Sequence, residues 1–108
     1  HGGVKTIVIS GQVGYADGKV GETFEEQADI AHQNIIRELA AAGASAEDLI
    51  KINTYVVDLD STRSKAVQAA KAKYFTQEHQ PASTMVGVSA LVMKPLLVEI
   101  EATAVVEA

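Results

Sequence analysis

The sequence predicts an α+β fold: a mixed β-sheet with two helices packed on one face. Three observations lead there. A short β-branched run, TIVIS, stands near the start; a long amphipathic stretch with a built-in cap follows; and two alternating apolar runs close the chain after a second helical segment. At 108 residues, the chain is the size of one domain, and residues 1–108 are read as a single unit.

The elements follow in order. TIVIS, residues 6–10, reads as a strand ended by Gly11. GYADGKVGE carries three glycines and an Asp-Gly pair, the composition of a hairpin turn. Thr23 and Glu26 stand at capping-box spacing, and Phe24, Ala28, Ala31, Ile35 and Leu39 then recur every three or four residues, lining one helix face. Glu25, Asp29, His32, Gln33 and Arg37 fall on the polar side, and Gly43 closes the helix. SAED begins a short turn, and LIKINTYVVDL reads as a strand ended by Asp58 and Asp60. Ser61 is the expected cap of a second helix, with Ala66, Val67, Ala70 and Tyr74 inward and Arg63, Lys71 and Lys73 outward. TQEHQP is a loop, because Pro81 disfavours helical geometry at Gln80. STMVGVSALV and LVEIEATAVV are the last two strands, joined through Lys94-Pro95.

In the final strand Val98, Ile100, Ala102, Ala104 and Val106 share one face, and Leu97, Glu99, Glu101, Thr103 and Val105 share the other. Both faces carry apolar side chains, and two helices cover only one. An apolar sheet face of several hundred Å2 marks an interface, so an oligomer is expected.

Composition narrows the function classes. The chain has no cysteine, which excludes disulfides, thiolate nucleophiles and Cys-ligated metals and is compatible with the expected cytoplasmic location. The net charge is −5 and the nine basic residues are scattered, against the basic face that nucleic acid requires. No apolar run approaches a membrane span, and no secretion signal is visible; the chain opens on HGG, so processing of its N-terminus is one expectation. His1, His32 and His79 lie far apart with no HxH or HExxH spacing, so neither a metal nor another cofactor is expected.

Few residues could carry chemistry. Glu99 and Glu101 project from one strand face about 7 Å apart. Either could serve as a general acid or base through burial beside a like charge, and the ordinary alternative is solvent or a cross-strand lysine. Ser10, Ser83 and Ser89 lack the GxSxG elbow, and SGQVG with GKVGE reads as turns, not a phosphate cradle. Gln27 and Asn34, seven apart on one helix edge, read as structural hydrogen bonders to a neighbouring loop.

Taken together, ISGQVG, EEQADIAHQNIIRELAAAGA, DLIKINTYVVDL, KYF before the Pro-Ala turn, and LVEIEATAV resemble the RidA-like (YjgF) proteins over nearly the whole chain. The resemblance implies a chorismate-mutase-like fold and a homotrimer with sheets at the centre and helices outside. It implies a cleft between subunits in which active members hydrolyse enamines and imines, such as 2-aminoacrylate, to the keto acid and ammonia. The partners it implies are a small metabolite, keto acid or imine-like, and further copies of the chain, with no nucleic acid or membrane. In that cleft an arginine after the Pro-Ala turn grips the substrate carboxylate and a last-strand glutamate positions water. Matched residue by residue, Glu99 is the glutamate, Ser10 and Gly11 form the loop, and Ser83, Thr84 and Met85 line the substrate side.

Ser83 occupies the arginine position. Exchanging a bidentate charge-assisted pair for a neutral hydroxyl bond weakens carboxylate binding by about 2–3 kcal/mol, roughly 30- to 150-fold. The expectation is therefore a metabolite-binding trimer without standard 2-aminoacrylate deaminase activity, or else a hydrolase of a different imine that relies on Glu99. The family's N-terminal strand, with a Tyr near the pocket, has only five residues in its place before TIVIS, so the pocket floor is expected to differ as well.

Overall fold

The computed structural model describes residues 3–75 and 78–108. Four strands, β1 (Val4–Val13), β4 (Leu49–Val57), β5 (Ala82–Val88) and β6 (Val98–Glu107), form one sheet in the order β1-β6-β4-β5. β6 runs antiparallel to both neighbours, whereas β4 and β5 are parallel, which makes the sheet mixed. The parallel pair requires a crossover, and α2 (Ser61–Tyr74) supplies it. Between β1 and α1 (Phe24–Ala41) lies a miniature hairpin, β2 (Tyr15–Ala16) and β3 (Lys19–Val20). Asp17 and Gly18 form its turn, both at positive φ, as the Asp-Gly signal requires.

The first helix is set locally. The Thr23 hydroxyl accepts from the Glu26 amide, while the Glu26 carboxylate turns back to the Glu22 amide. At the other end Gly43, φ +79°, lets the Ala44 amide reach the Leu39 carbonyl at 2.8 Å. Phe24, Ala28, Ala31, Ile35 and Leu39 are all buried against Ile52, Val56, Val98, Ile100, Ala102 and Ala104 of the sheet. Each large aliphatic buried in this layer is worth about 1.5–3 kcal/mol. The α+β architecture with two helices on one sheet face is thus the one expected.

Several local expectations are corrected. β1 does not stop at Gly11. It continues to Val13, because the pairing with β6 absorbs Ser10 and Gly11 as a bulge between the Ile9–Ala102 and Gln12–Ile100 pairs. The cap of α2 is Asp60, whose carboxylate accepts from the Arg63 amide at 2.8 Å, and Ser61 is the first helical residue. Arg63 is not turned to solvent: its guanidinium donates to the Val57 carbonyl and lies 5.0 Å over the Phe24 ring. β5 ends at Val88, so Ser89–Val92 belong to the loop that returns to β6. His32, assigned to the polar side, is fully buried. Its Nδ1 donates to the Ala28 carbonyl at 2.7 Å and its ring tilts against Phe75. Two residues of the TQEHQP loop, 76 and 77, lie outside the described residues.

Candidate functional site

Sheet alternation and register sort the candidate residues onto two faces. Ile52, Thr54 and Val56 of β4 point under the helices, and their β5 partners Ser83, Met85 and Gly87 share that side. Met85 packs against the core there, while Ser83 remains exposed on the edge strand. Lys51, Asn53 and Tyr55 point the opposite way, onto a face with no helix. Across that open face the registers line up three rows. One holds Ala82, Lys51, Thr103 and Val8; the next Thr84, Asn53, Glu101 and the Ser10–Gly11 bulge; the third Val86, Tyr55, Glu99 and Val13.

Gly11 and Glu99 form a close pair. A Cβ built on Gly11 would land on the Glu99 carboxylate, with Cγ at 2.8 Å, so the bulge and its missing side chain make the space that carboxylate occupies. Among the described residues, Glu99 makes no hydrogen bond or ion pair. Glu101, the alternative of equal standing by spacing, has the opposite surroundings. Its Oε1 accepts from the Tyr55 hydroxyl at 2.7 Å and from Asn53 Nδ2 at 3.1 Å. These two bonds, the Tyr55 one foremost, hold its carboxyl below the usual carboxylate range, and Tyr55 is pushed up by the same bond. A depression of about 380 Å3 lies over this part of the sheet, lined by Val8, Ser10, Lys51, Asn53, Glu101 and Thr103. The chain therefore brings Ser10, Gly11, Thr84 and Glu99 to the open face. It leaves Ser83 and Met85 on the other one.

Gln27 makes the hydrogen bonds to neighbouring loops expected of it, whereas Asn34 reaches strand carbonyls. Gln27 Nε2 donates to the carbonyls of Gly21 and Pro95, and its Oε1 accepts from the Leu97 amide at 2.8 Å, two residues before Glu99. Asn34 Nδ2 donates to the Val13 carbonyl at the end of β1 and to the Tyr15 carbonyl of β2. Lys51, Asn53 and Tyr55 escaped sequence reasoning, although their i, i+2, i+4 polarity within a strand was the available signal. Among the described residues no group of three or more His, Asp or Glu side chains could hold a metal ion. No helix there is long and apolar enough to cross a membrane.

Comparison with known proteins agrees with this architecture. The model of the Ribonuc_L-PSP family, described as endoribonuclease L-PSP, matches residues 3–106. The mitochondrial protein MMF1 of Saccharomyces cerevisiae is 32% identical over 97 residues, 88% of this chain and 63% of its own length, so this chain spans under two thirds of that relative. A Rid-family protein of unknown function from Yersinia pestis, YyfB, superposes with a TM-score of 0.86 at 32% identity, over 93% of this chain and 77% of its own. Escherichia coli TdcF, solved with bound serine, superposes at 0.79 with 27% identity, over 93% and 80%. By the span of the family match, and by the helices and sheet that carry it, this chain belongs to the Ribonuc_L-PSP (YjgF/RidA) family.

Proposed function

We propose that the protein is a homotrimer that binds a small polar metabolite in a cleft between copies and lacks the standard 2-aminoacrylate deaminase activity. The observation that carries this reading is Ser83: a neutral hydroxyl on the exposed edge strand, where the family resemblance places an arginine. The trimer is supported by the division of candidates between faces. Glu99 and Thr84 lie on the open side and Ser83 and Met85 on the helix side, so a site uniting them requires a second copy. TdcF with bound serine is a relative holding a molecule of this size and polarity. No further cofactor enters this reading, and the cytoplasm is the compartment it assigns.

The test is ammonia release from freshly generated 2-aminoacrylate. Turnover is expected to be absent or far below that of an arginine-bearing relative, and Ser83→Arg is expected to raise it by at least tenfold. Wild-type turnover comparable with such a relative would contradict the reading.

A second reading is favoured by Glu99. A half-buried carboxylate without a hydrogen-bond partner among the described residues, set beside a glycine that clears space for it, suits a base that positions water against an imine or enamine carbon. In that case the substrate lacks a carboxylate anchor. Glu99→Ala would then lower turnover of such an imine by about 100-fold or more, and unchanged turnover would exclude the mechanism. RNA is disfavoured as the ligand by the net charge of −5 and the dispersed bases.

A further inference from the structure

Among the described residues, both hydrogen bonds to the Glu101 carboxylate fall on one oxygen. Tyr55 and Asn53 both donate to Oε1, which fixes the carboxylate and favours its ionised form, while among the described residues Oε2 receives no hydrogen bond. Lys51 stands one row away on the same open face, close enough to act on Glu101 through its charge. Yet among the described residues it makes no ion pair or hydrogen bond. Both groups border the 380 Å3 depression, and Val8 beside them is 76% exposed. One face thus presents a fixed negative site, an uncommitted positive one and bare apolar surface.

A ring of identical subunits joins different patches of neighbouring copies, so it needs complementary features at two places on one surface. Lys51 and Glu101 meet that requirement. We infer that, where the open faces of the copies meet in that trimer, Lys51 of one copy pairs with Glu101 of the next across each seam, setting the register of the assembly. The inference rests on the trimer reading above and names the pair that would specify it. A lysine–carboxylate contact closed off from water between subunits contributes mainly to which alignment forms, and an unmatched charge there strongly opposes assembly.

Charge reversal separates a pairing between chains from one within a chain. Lys51→Glu and Glu101→Lys proteins, each alone, place like charges at every seam and are expected to sediment as protomers at micromolar concentration. An equimolar mixture of the two places opposite charges at two of the three seams of any mixed ring, and is expected to form mixed species heavier than a protomer that neither protein forms alone. If the pair acts only within a chain, the mixture stays dissociated, which would overturn the inference. Singles that assemble as well as wild type would do the same.

Should Glu101→Lys fail to fold, shown by a lost far-ultraviolet dichroism signal, cross-linking provides the second measurement. The chain has no cysteine, so Lys51→Cys and Glu101→Cys proteins each carry one thiol. Mixed and treated with a short bis-maleimide, they are expected to give a covalent pair joining one chain of each kind. Only uncross-linked chains would overturn the proposal. A wild-type protein that sediments as a protomer would instead remove the trimer reading itself.

Discussion

His32 is held neutral by its surroundings. Burial is the main influence pushing its pKa down, against the Ala28 carbonyl and Asp29, which favour the proton, while Lys71 opposes it. Nδ1 carries the proton that Ala28 accepts, and Nε2 is buried with no partner among the described residues. The unfolded chain protonates near pH 6.5 and the folded chain only at lower pH, so the unfolded state binds more protons between the two. Stability conferred by this group is complete above about pH 6.5 and falls on acidification, with a limiting slope of about 1.4 kcal/mol per pH unit. Denaturant titrations between pH 7 and 5 are expected to show stability falling on acidification in the wild type and falling less in His32→Leu. Equal slopes would contradict the assignment. Glu101 has the same sign at lower pH: its depressed pKa contributes stability above the ordinary carboxylate value, lost as pH falls through the folded one. Gly11→Ala tests the other carboxylate. Its methyl group displaces Glu99, so ligand binding or turnover is expected to fall about as far as in Glu99→Ala, with thermal stability little changed.

Elements differ in how plainly their residues announce them. The start of α1 was legible because Thr23 and Glu26 act on backbone within four residues, and Gly43 likewise ended it. Thr23→Ala is expected to cost about 1 kcal/mol in a denaturant titration. His32 was misplaced by its polarity, not its position. It stands four after Ala28 and three before Ile35, on the stripe the apolar residues define. The bulge at Ser10–Gly11 was hidden for a different reason: it exists only relative to β6, a partner some ninety residues away in the chain. Gln27 joins the two levels, since one amide fixes the Gly21 turn and the segment from Pro95 to Leu97 that leads into Glu99. Gln27→Ala leaves the Leu97 amide and two carbonyls without that partner. It is expected to destabilise by about 2–4 kcal/mol, through a cavity and unpaired polar groups.

At the scale of the whole molecule, two helices cover one side of the sheet and leave Val8, Lys51, Tyr55, Val86, Glu99 and Glu101 on the other. That asymmetry was readable from the alternation in LVEIEATAVV. The separation of Ser83 from Glu99 was not, because the face on which Ser83 lies is set by the parallel pairing of β5 with β4 across a helical crossover. In the proposed function another copy brings those two residues to one cleft, so that reading depends on assembly through the bare face. Sedimentation equilibrium of the wild-type protein at micromolar concentration tests this most directly. The account predicts a species of three times the protomer mass, and a folded protein that remains at the mass of one protomer would contradict it.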